Sequence, residues 1–529
     1  MMYMKGWGAG IGVFSPEKAG EYLGKVTGLP EDEDGNRGAV AAELGYWALA
    51  LALAASFIAE KRKTQSGYRY GDYLESLRRQ KVRTSAAPDS APLKDRQAVL
   101  KAWRISSTAI ASEGARQLLN LFAFFAPDDI DPDWFRKGYA HLPLPLQQIV
   151  QDRDGLNGIL RELGRYSLID SNRKAAVGLH RLLQRVIRDA LGGERERWRS
   201  YCVAVLNECC SSDFFSPRSG QEFQAIVSHI QSVTARGRSS KPAEKANLCM
   251  FCGMGYVRVM GNYAKALAWC HKALVIRKKV LGEYHPDTAT TYNEIAGAYD
   301  SLGDYDEALI WYQKALAVHE KVSGENHPDT AATCDDIALL HERLGDGPGA
   351  LEWYQRVLAI NEKGLGKAHP DTATTYSNIA CVYGGQGDYS EALAWYRKAL
   401  DIFEEVLGKD HPDTATAYHG VGGVYESQGD CGEALAWYRK ALTIREKVLG
   451  KDHPDTAMTY NDMAVVYDIE GDYDKALTGC LDAYRIFRLK LGEDHPNTQS
   501  IRENMEHVYL KMDNDEPFDE WLAGRVGEV

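Results

Sequence analysis

The side chains of this chain best suited to chemistry are its fourteen histidines and ten cysteines, so their spacing is read first. Six histidines, His285, His327, His369, His411, His453 and His495, each stand before a proline and recur every 42 residues. One imidazole per period is too regular for a single site, and no nucleophile travels with it, so these six are architecture. Cys249 and Cys252 have the spacing of two zinc ligands. A structural zinc needs four, and neither a second cysteine pair nor a histidine doublet stands nearby, so the expectation is two small buried side chains and no metal. No Gly-x-Ser-x-Gly, His-Glu-x-x-His or paired-carboxylate constellation stands out. The chain is therefore expected to be no enzyme and to need no cofactor.

The elements that carry these residues follow from the 42-residue period. A unit of that size cannot enclose a core alone, so successive copies must cover one another, which gives a solenoid of stacked helix pairs. Within one copy, His285-Pro286-Asp287-Thr288 opens a helix running through Tyr299, Gly303-Asp304-Tyr305 turns the chain, and a second helix runs from Glu307 to about Val322. Proline in the first turn has no amide to waste, and Asp287 lies at the positive end of the helix dipole. Ile295, Ala296 and Tyr299 form one apolar stripe, and Ala308, Leu309, Tyr312, Ala315 and Leu316 the facing one. The column Trp269, Trp311, Trp353, Trp395, Trp437 reads as packing. The unit from Pro328 departs from the pattern at Cys334, His341 and Val357, and its Gly347-Pro348 is expected to disturb the turn, which makes it the loosest of the stack.

These residues resemble tetratricopeptide repeats, and the long period with Leu407-Gly408 and His411-Pro412-Asp413-Thr414-Ala415 is similar to the kinesin light chain variety. The resemblance implies six helix pairs, a closing helix near Thr498 to Met512, and a groove lined by the first helix of each pair. At the groove position before the Ile295-Ala296 step this chain has Glu294, Asp336, Asn378, Asp462 and Asn504, with Cys252 and Gly420 in the same column. A second column reads Asp300, Glu342, Glu426 and Asp468, with Gly384. The resemblance assigns Asn378 and Asn504 to gripping a peptide backbone. Converging carboxylates favour basic or amide-rich ligands over acidic ones. Acids that only pair with neighbouring units are the competing reading, and acidity speaks against cargo of the kinesin light chain kind.

The first half reads as helices around a short two-stranded wing. Ser15 starts a helix, Leu44 to Ala59 is a core helix too short to span a bilayer, Ala111 to Phe125 and Leu156 to Tyr166 are two more, and strands near Ser167-Ile169 and Val177 precede a helix at Leu179. This order resembles the helical and winged-helix region of NB-ARC (STAND-type) ATPases. The loop Gly45-Tyr46-Trp47-Ala48 has Ala48 where that family has proline, and Leu179-His180-Arg181 keeps the histidine, but not the acid, of its nucleotide-sensing motif. His180 is thus a nucleotide-sensor remnant by resemblance and a structural helix-start residue by its own context. No G-x-x-x-x-G-K-[ST] phosphate loop occurs in the 529 residues, so nucleotide binding by this chain is not expected.

The fold class expected is all-α: a tetratricopeptide-repeat solenoid preceded by a helical domain and a winged-helix-like module. The expected organisation is a helical domain over 1–77, a linker over 78–105, the winged-helix-like module over 106–195, a helical connector over 196–240, the repeat array over 241–512 and a tail over 513–529. A formal net charge of −12, with 44% hydrophobic and 26% charged residues, describes a globular chain and argues against nucleic acid or anionic membrane as partner. The basic residues Arg78, Arg79, Lys81, Arg83, Arg195, Arg197 and Arg199 are too few and too interleaved with Glu194 and Glu196 to change that. The N-terminus lacks the features of a secretory signal, so the expected location is cytoplasmic and the expected partner a protein or peptide.

Overall fold

The computed structural model describes residues 12–29, 35–80, 93–171, 176–211, 220–235, 241–493, 495–512 and 516–526. The middle of the 78–105 linker lies outside these residues. The chain divides into two compact units, residues 1–216 with 221–248, and residues 217–220 with 249–529. None of the described helices is long and apolar enough to cross a membrane.

In the first unit the helices are α1 (Pro16–Thr27), α2 (Arg37–Glu43), α3 (Ala48–Thr64), α4 (Tyr70–Arg79), α5 (Leu93–Ala109), α6 (Glu113–Phe122), α7 (Asp133–Lys137), α8 (Leu144–Val150), α9 (Arg153–Arg165), α10 (Arg181–Ala190), α11 (Arg195–Ser211) and α12 (Gly220–Thr234). Ser15 caps α1 by accepting from the Lys18 amide. From Ala50 to Ile58 every residue of α3 is buried, as a helix apolar on all sides must be. Between α9 and α10, strands β1 (Asp170–Ser171) and β2 (Val177–Gly178) pair antiparallel, and a bridge from Ile130 to Val177 adds a third edge. The first strand therefore begins just after the span expected for it, because Ser167 adopts φ +52° and still belongs to the turn that ends α9. Gln184, buried on α10, donates to the carbonyls of Phe122 and Phe125 at 3.1 and 3.0 Å, which satisfies the C-terminal end of α6.

The second unit is the repeat array. Its helices pair in sequence: α13 (Pro242–Arg258) with α14 (Tyr263–Val280), α15 (Pro286–Leu302) with α16 (Tyr305–Val322), α17 (Pro328–Arg343) with α18 (Gly347–Gly364), α19 (Pro370–Gly385) with α20 (Tyr389–Ile402), α21 (Pro412–Gln428) with α22 (Cys431–Val448), and α23 (Pro454–Glu470) with α24 (Tyr473–Leu491). Helices α25 (Pro496–Leu510) and α26 (Phe518–Val526) follow, and Tyr509, Phe518, Trp521 and Leu522 pack together there. Residues 518–526 are thus helical within the span read as a tail.

The periodic residues are the fasteners of this stack. Each His-Pro histidine is an N-cap: its Nδ1 accepts from the amide two residues on at 3.1 to 3.2 Å in all six copies. The following threonine, Thr288, Thr330, Thr372, Thr414 or Thr456, turns its hydroxyl back to the carbonyl of the glycine six residues before it at 2.8 to 2.9 Å. Gly303, at φ +79°, ends α15 in the left-handed conformation that a side chain disfavours. Lysine or arginine three residues after each tryptophan covers its ring, from 3.5 Å for Lys440 on Trp437 to 5.6 Å for Arg356 on Trp353.

The expected disturbance at Gly347-Pro348 does not occur. Asp346 caps α18 by accepting from the Gly349 amide at 3.1 Å, and Pro348 sits in the first turn, where a missing amide costs nothing. Curvature accumulates along the array until its two ends meet. A Cβ placed on Gly261, in the turn between α13 and α14, would lie 3.9 Å from His495 Cδ2 at the start of α25. Val259 and Met260 line a cavity of about 410 Å³ with Leu489, Leu491 and Pro496.

Candidate ligand-binding face

The first helices α15, α17, α19, α21, α23 and α25 carry the two predicted columns, and all nine of the named residues are partly buried. Cys252, in the same column, is fully buried and lines nothing. Gly420 is explained by its neighbour: a Cβ there would collide with the Tyr396 hydroxyl, so the tyrosine occupies the space of the missing side chain.

Much of the polar surface is knitted between repeats by residues 43 apart, one more than the period. Asn378 Nδ2 donates to Asp335 Oδ1 at 3.2 Å, and Asn504 Nδ2 to Asn461 Oδ1 at 3.2 Å. Arg343 Nη1 meets Asp300 Oδ2 at 2.9 Å, His419 Nε2 meets Asp462 Oδ2 at 2.8 Å, and Lys511 Nζ meets Asp468 Oδ2 at 2.6 Å. The extra residue is one step round the helix, which turns a side chain of one first helix towards the next. Glu426 accepts from the Tyr438 hydroxyl at 2.6 Å. The reading of the acids as partners of the neighbouring unit therefore holds for Asp300, Asp462 and Asp468.

It does not hold at Asp336. Burial first, then the carboxylates of Asp335, Glu294 and Asp300, push its carboxyl up to about 7. Glu294 is raised by burial against the pull of Arg258 and Arg277, and Glu342 is raised by burial, with a hydrogen bond from the Tyr354 hydroxyl opposing and Asp335 adding to it. Carboxylates thus crowd at α15 and α17, where Arg343 pairs with Asp300, Arg258 and Arg277 draw on Glu294, and the charges acting on Asp336 are all acidic. Leu339, 37% exposed, stands one helical turn from both Asp336 and Glu342, and Cys381 is exposed at the equivalent place on α19.

Three sets of residues were missed by reading the columns alone. Arg343 and Lys511 supply neutralising bases, His419 faces Asp462, and Asp335 supplies a further acid. The third set ties each second helix to the following first helix. Buried Arg277 and Arg445 donate to Asp287 and Asp455 carbonyls and to the Thr291 and Thr459 hydroxyls, at 2.6 to 3.0 Å. Asn361 donates to Thr375 at 3.2 Å, Phe403 and Phe487 fill the place with carbon, and buried His319 has Nδ1 without a hydrogen bond. The 42-residue recurrence of this column is visible in the sequence, but its variety hides it.

In the first unit His180 caps α10, its Nδ1 accepting from the Leu182 amide at 3.2 Å. Burial lowers its pKa, with Asp128 opposing. It lines a cavity of about 340 Å³ with Arg181, Asp128, Asp129, Asp170, Leu49 and Ala52. Ala48, at the position compared with a proline, is the first residue of α3, reached through the left-handed pair Gly45 and Tyr46.

Comparison with known proteins agrees with this architecture. The family model described as Tetratricopeptide repeat matches residues 249–321, 289–363, 335–405, 371–447 and 413–478. The model described as Domain of unknown function (DUF7779) matches residues 106–196. No curated protein sequence matches the chain. Among solved structures, a protein of TPR-like repeats from Podosopora anserina, named for kinesin light chain, is 23% identical over 40% of this chain and 99% of its own, with a TM-score of 0.35. A signal transduction ATPase with numerous domains and a tetratricopeptide repeat sensor, from Pyrococcus horikoshii, is 13% identical over 97% of this chain and 72% of its own, with a TM-score of 0.40. Aspartyl phosphate phosphatase F from Bacillus subtilis is 14% identical over 72% of this chain and 96% of its own, with a TM-score of 0.44. Paired helices, the repeated fasteners and the family match together identify residues 249–478 as a tetratricopeptide-repeat array, in a chain whose residues 106–196 match the DUF7779 domain.

Proposed function

We propose that this chain is a non-catalytic interaction protein whose first-helix face holds a protein or peptide segment. The observation that carries the reading is the polar line along successive first helices, from Glu294 through Asp336 and Asn378 to Asp462 and Asn504, with each side chain partly exposed. Carboxylates and amides so arranged favour a ligand rich in donors, that is, a basic or amide-rich segment over an acidic one. A peptide array probed with the full chain tests this. Capture of basic or amide-rich peptides is expected, and preferential capture of acidic ones would overturn the specificity.

A second reading rests on the cavity beside His180. In it, the first unit works with a nucleotide-binding partner, and the array is the sensor of a nucleotide-gated assembly of the STAND kind. The two readings part in one measurement: only the second expects ATP or ADP with magnesium to shift the melting temperature of the chain once such a partner is added. The kinesin light chain resemblance is kept at the level of the repeat alone.

A further inference from the structure

We propose that the joint between the two ends of the array, where the turn at Gly261 lies against His495, is a clasp that is shut at neutral pH and opened by protonation of His495. The inference concerns regulation of the array's shape and goes beyond the peptide-binding reading without depending on it.

The sixth His-Pro copy departs from the other five at the place where the ends meet. In those five the residue two after the histidine is aspartate, and its carboxylate stands 3.4 to 3.9 Å from the imidazole. A proton arriving on any of those rings meets a negative charge. In the sixth copy the residue is Asn497, which offers none. His495 Nδ1 accepts from the Asn497 amide at 3.2 Å, a bond that needs the neutral ring. Protonation there both breaks the cap and puts a cation at the positive end of α25.

A second, independent observation is a missing fastener. Five threonines, from Thr288 to Thr456, donate to the glycine carbonyl six residues before them. Thr498 is their counterpart, and its buried hydroxyl has no hydrogen bond. Gln499 ties the loop to the Glu493 carbonyl instead, at 2.6 Å. The start of α25 is thus held with less than the start of any other first helix of the His-Pro series, as a releasable joint requires.

The surroundings set the sign of the response. The cavity at the joint is lined by Arg488, Lys490 and Glu493 from the end of α24, by Gly220, and by Val259, Met260 and Gly261, which carry no titratable group. Glu493 is already engaged, lying 3.6 Å from Arg488 and accepting from the Tyr484 hydroxyl. A protonated His495 therefore joins two cations rather than a free carboxylate. Burial, to which the Gly261 turn contributes, holds the imidazole below its ordinary 6.5. The closed array then binds fewer protons than the open one, so closure is fully favoured above 6.5 and weakens as pH falls towards the closed-state value. Over that interval the closing constant drops about tenfold per pH unit.

The test uses the full chain with spin labels on keto side chains placed at Met260 and Leu489, which leaves the native cysteines untouched. At pH 8 the pair should give one short distance. Between pH 6.5 and 5 a longer population should grow while the far-ultraviolet circular dichroism stays constant, showing that helices persist as the ends part. Asn497→Asp, which restores the carboxylate of the other copies, should keep the short distance at pH 5. His495→Asn, which caps a helix without titrating, should do the same. A long distance already at pH 8, a distribution independent of pH, or opening of either variant in step with the parent would overturn the inference.

Discussion

At the scale of the residue, Asp336 and the column of Arg445 carry the clearest consequences. Asp336 has a folded-state pKa of about 7 against an ordinary 3.8, so above pH 7 the folded chain holds a carboxylate it would rather protonate. Asp336→Asn removes that cost. The variant should melt higher than the parent at pH 8, by up to roughly 4 kcal/mol. The gain should shrink as pH falls through 7 and vanish below 3.8, where both folded and unfolded chains carry the proton. Calorimetry at both extremes decides it, and a pH-independent effect would show that Asp336 is not under strain. Arg445 is buried and donates to Asp455 and Thr459. Arg445→Ala should cost about 2 to 3 kcal/mol in urea unfolding, from lost hydrogen bonds and a cavity. Arg445→Phe should cost less, because Phe403 and Phe487 fill the same column in other repeats.

At the scale of the element, the helix pair α17–α18 differs in the residues that pack it: Cys334 and His341 stand where α15, α19, α21 and α23 carry tyrosine, and Val357 where the other second helices carry alanine. His319 before it lacks the donor role of Arg277 and Arg445, and its Nδ1 is buried without a hydrogen bond. Each such atom costs about 1 to 3 kcal/mol of local stability. Amide hydrogen exchange should therefore be fastest in α17 and α18, even though their lengths and caps match those of the other pairs. Uniform protection across the six pairs would refute this. The weakness thus comes from packing and from His319, since the capped Gly347-Pro348 turn is intact.

At the scale of the whole array, the ends meet through Gly261 and His495. That contact is the sum of small rotations between successive pairs, so it reports curvature better than any single repeat does. Spin labels at Met260 and Leu489, which line the same cavity, should give a single short distance. A broad, long distribution would mean that the array is open in solution. The meeting of the ends also limits how a partner reaches the first-helix face, since the circuit of helix pairs is then continuous.

By itself the sequence determined the repeat and its fasteners. Period, His-Pro caps, apolar stripes and the tryptophan column are local or follow from one residue's relation to the next copy, and each appears where the 42-residue spacing puts it. In the first half, the helix starts at Ser15 and His180 were legible for the same reason: a cap is decided within one turn. The two columns were legible as positions, but their charge balance was not. Whether an acid is neutralised depends on a base 43 residues away and on how far helix packing turns it, as Asp468 with Lys511 and Asp336 without a base demonstrate. Gly420 was legible only as a gap until Tyr396 was found in it. Burial, the pairing of charges across repeats and the meeting of the array's ends are properties of distance between chain-remote groups, and tertiary structure alone sets those distances.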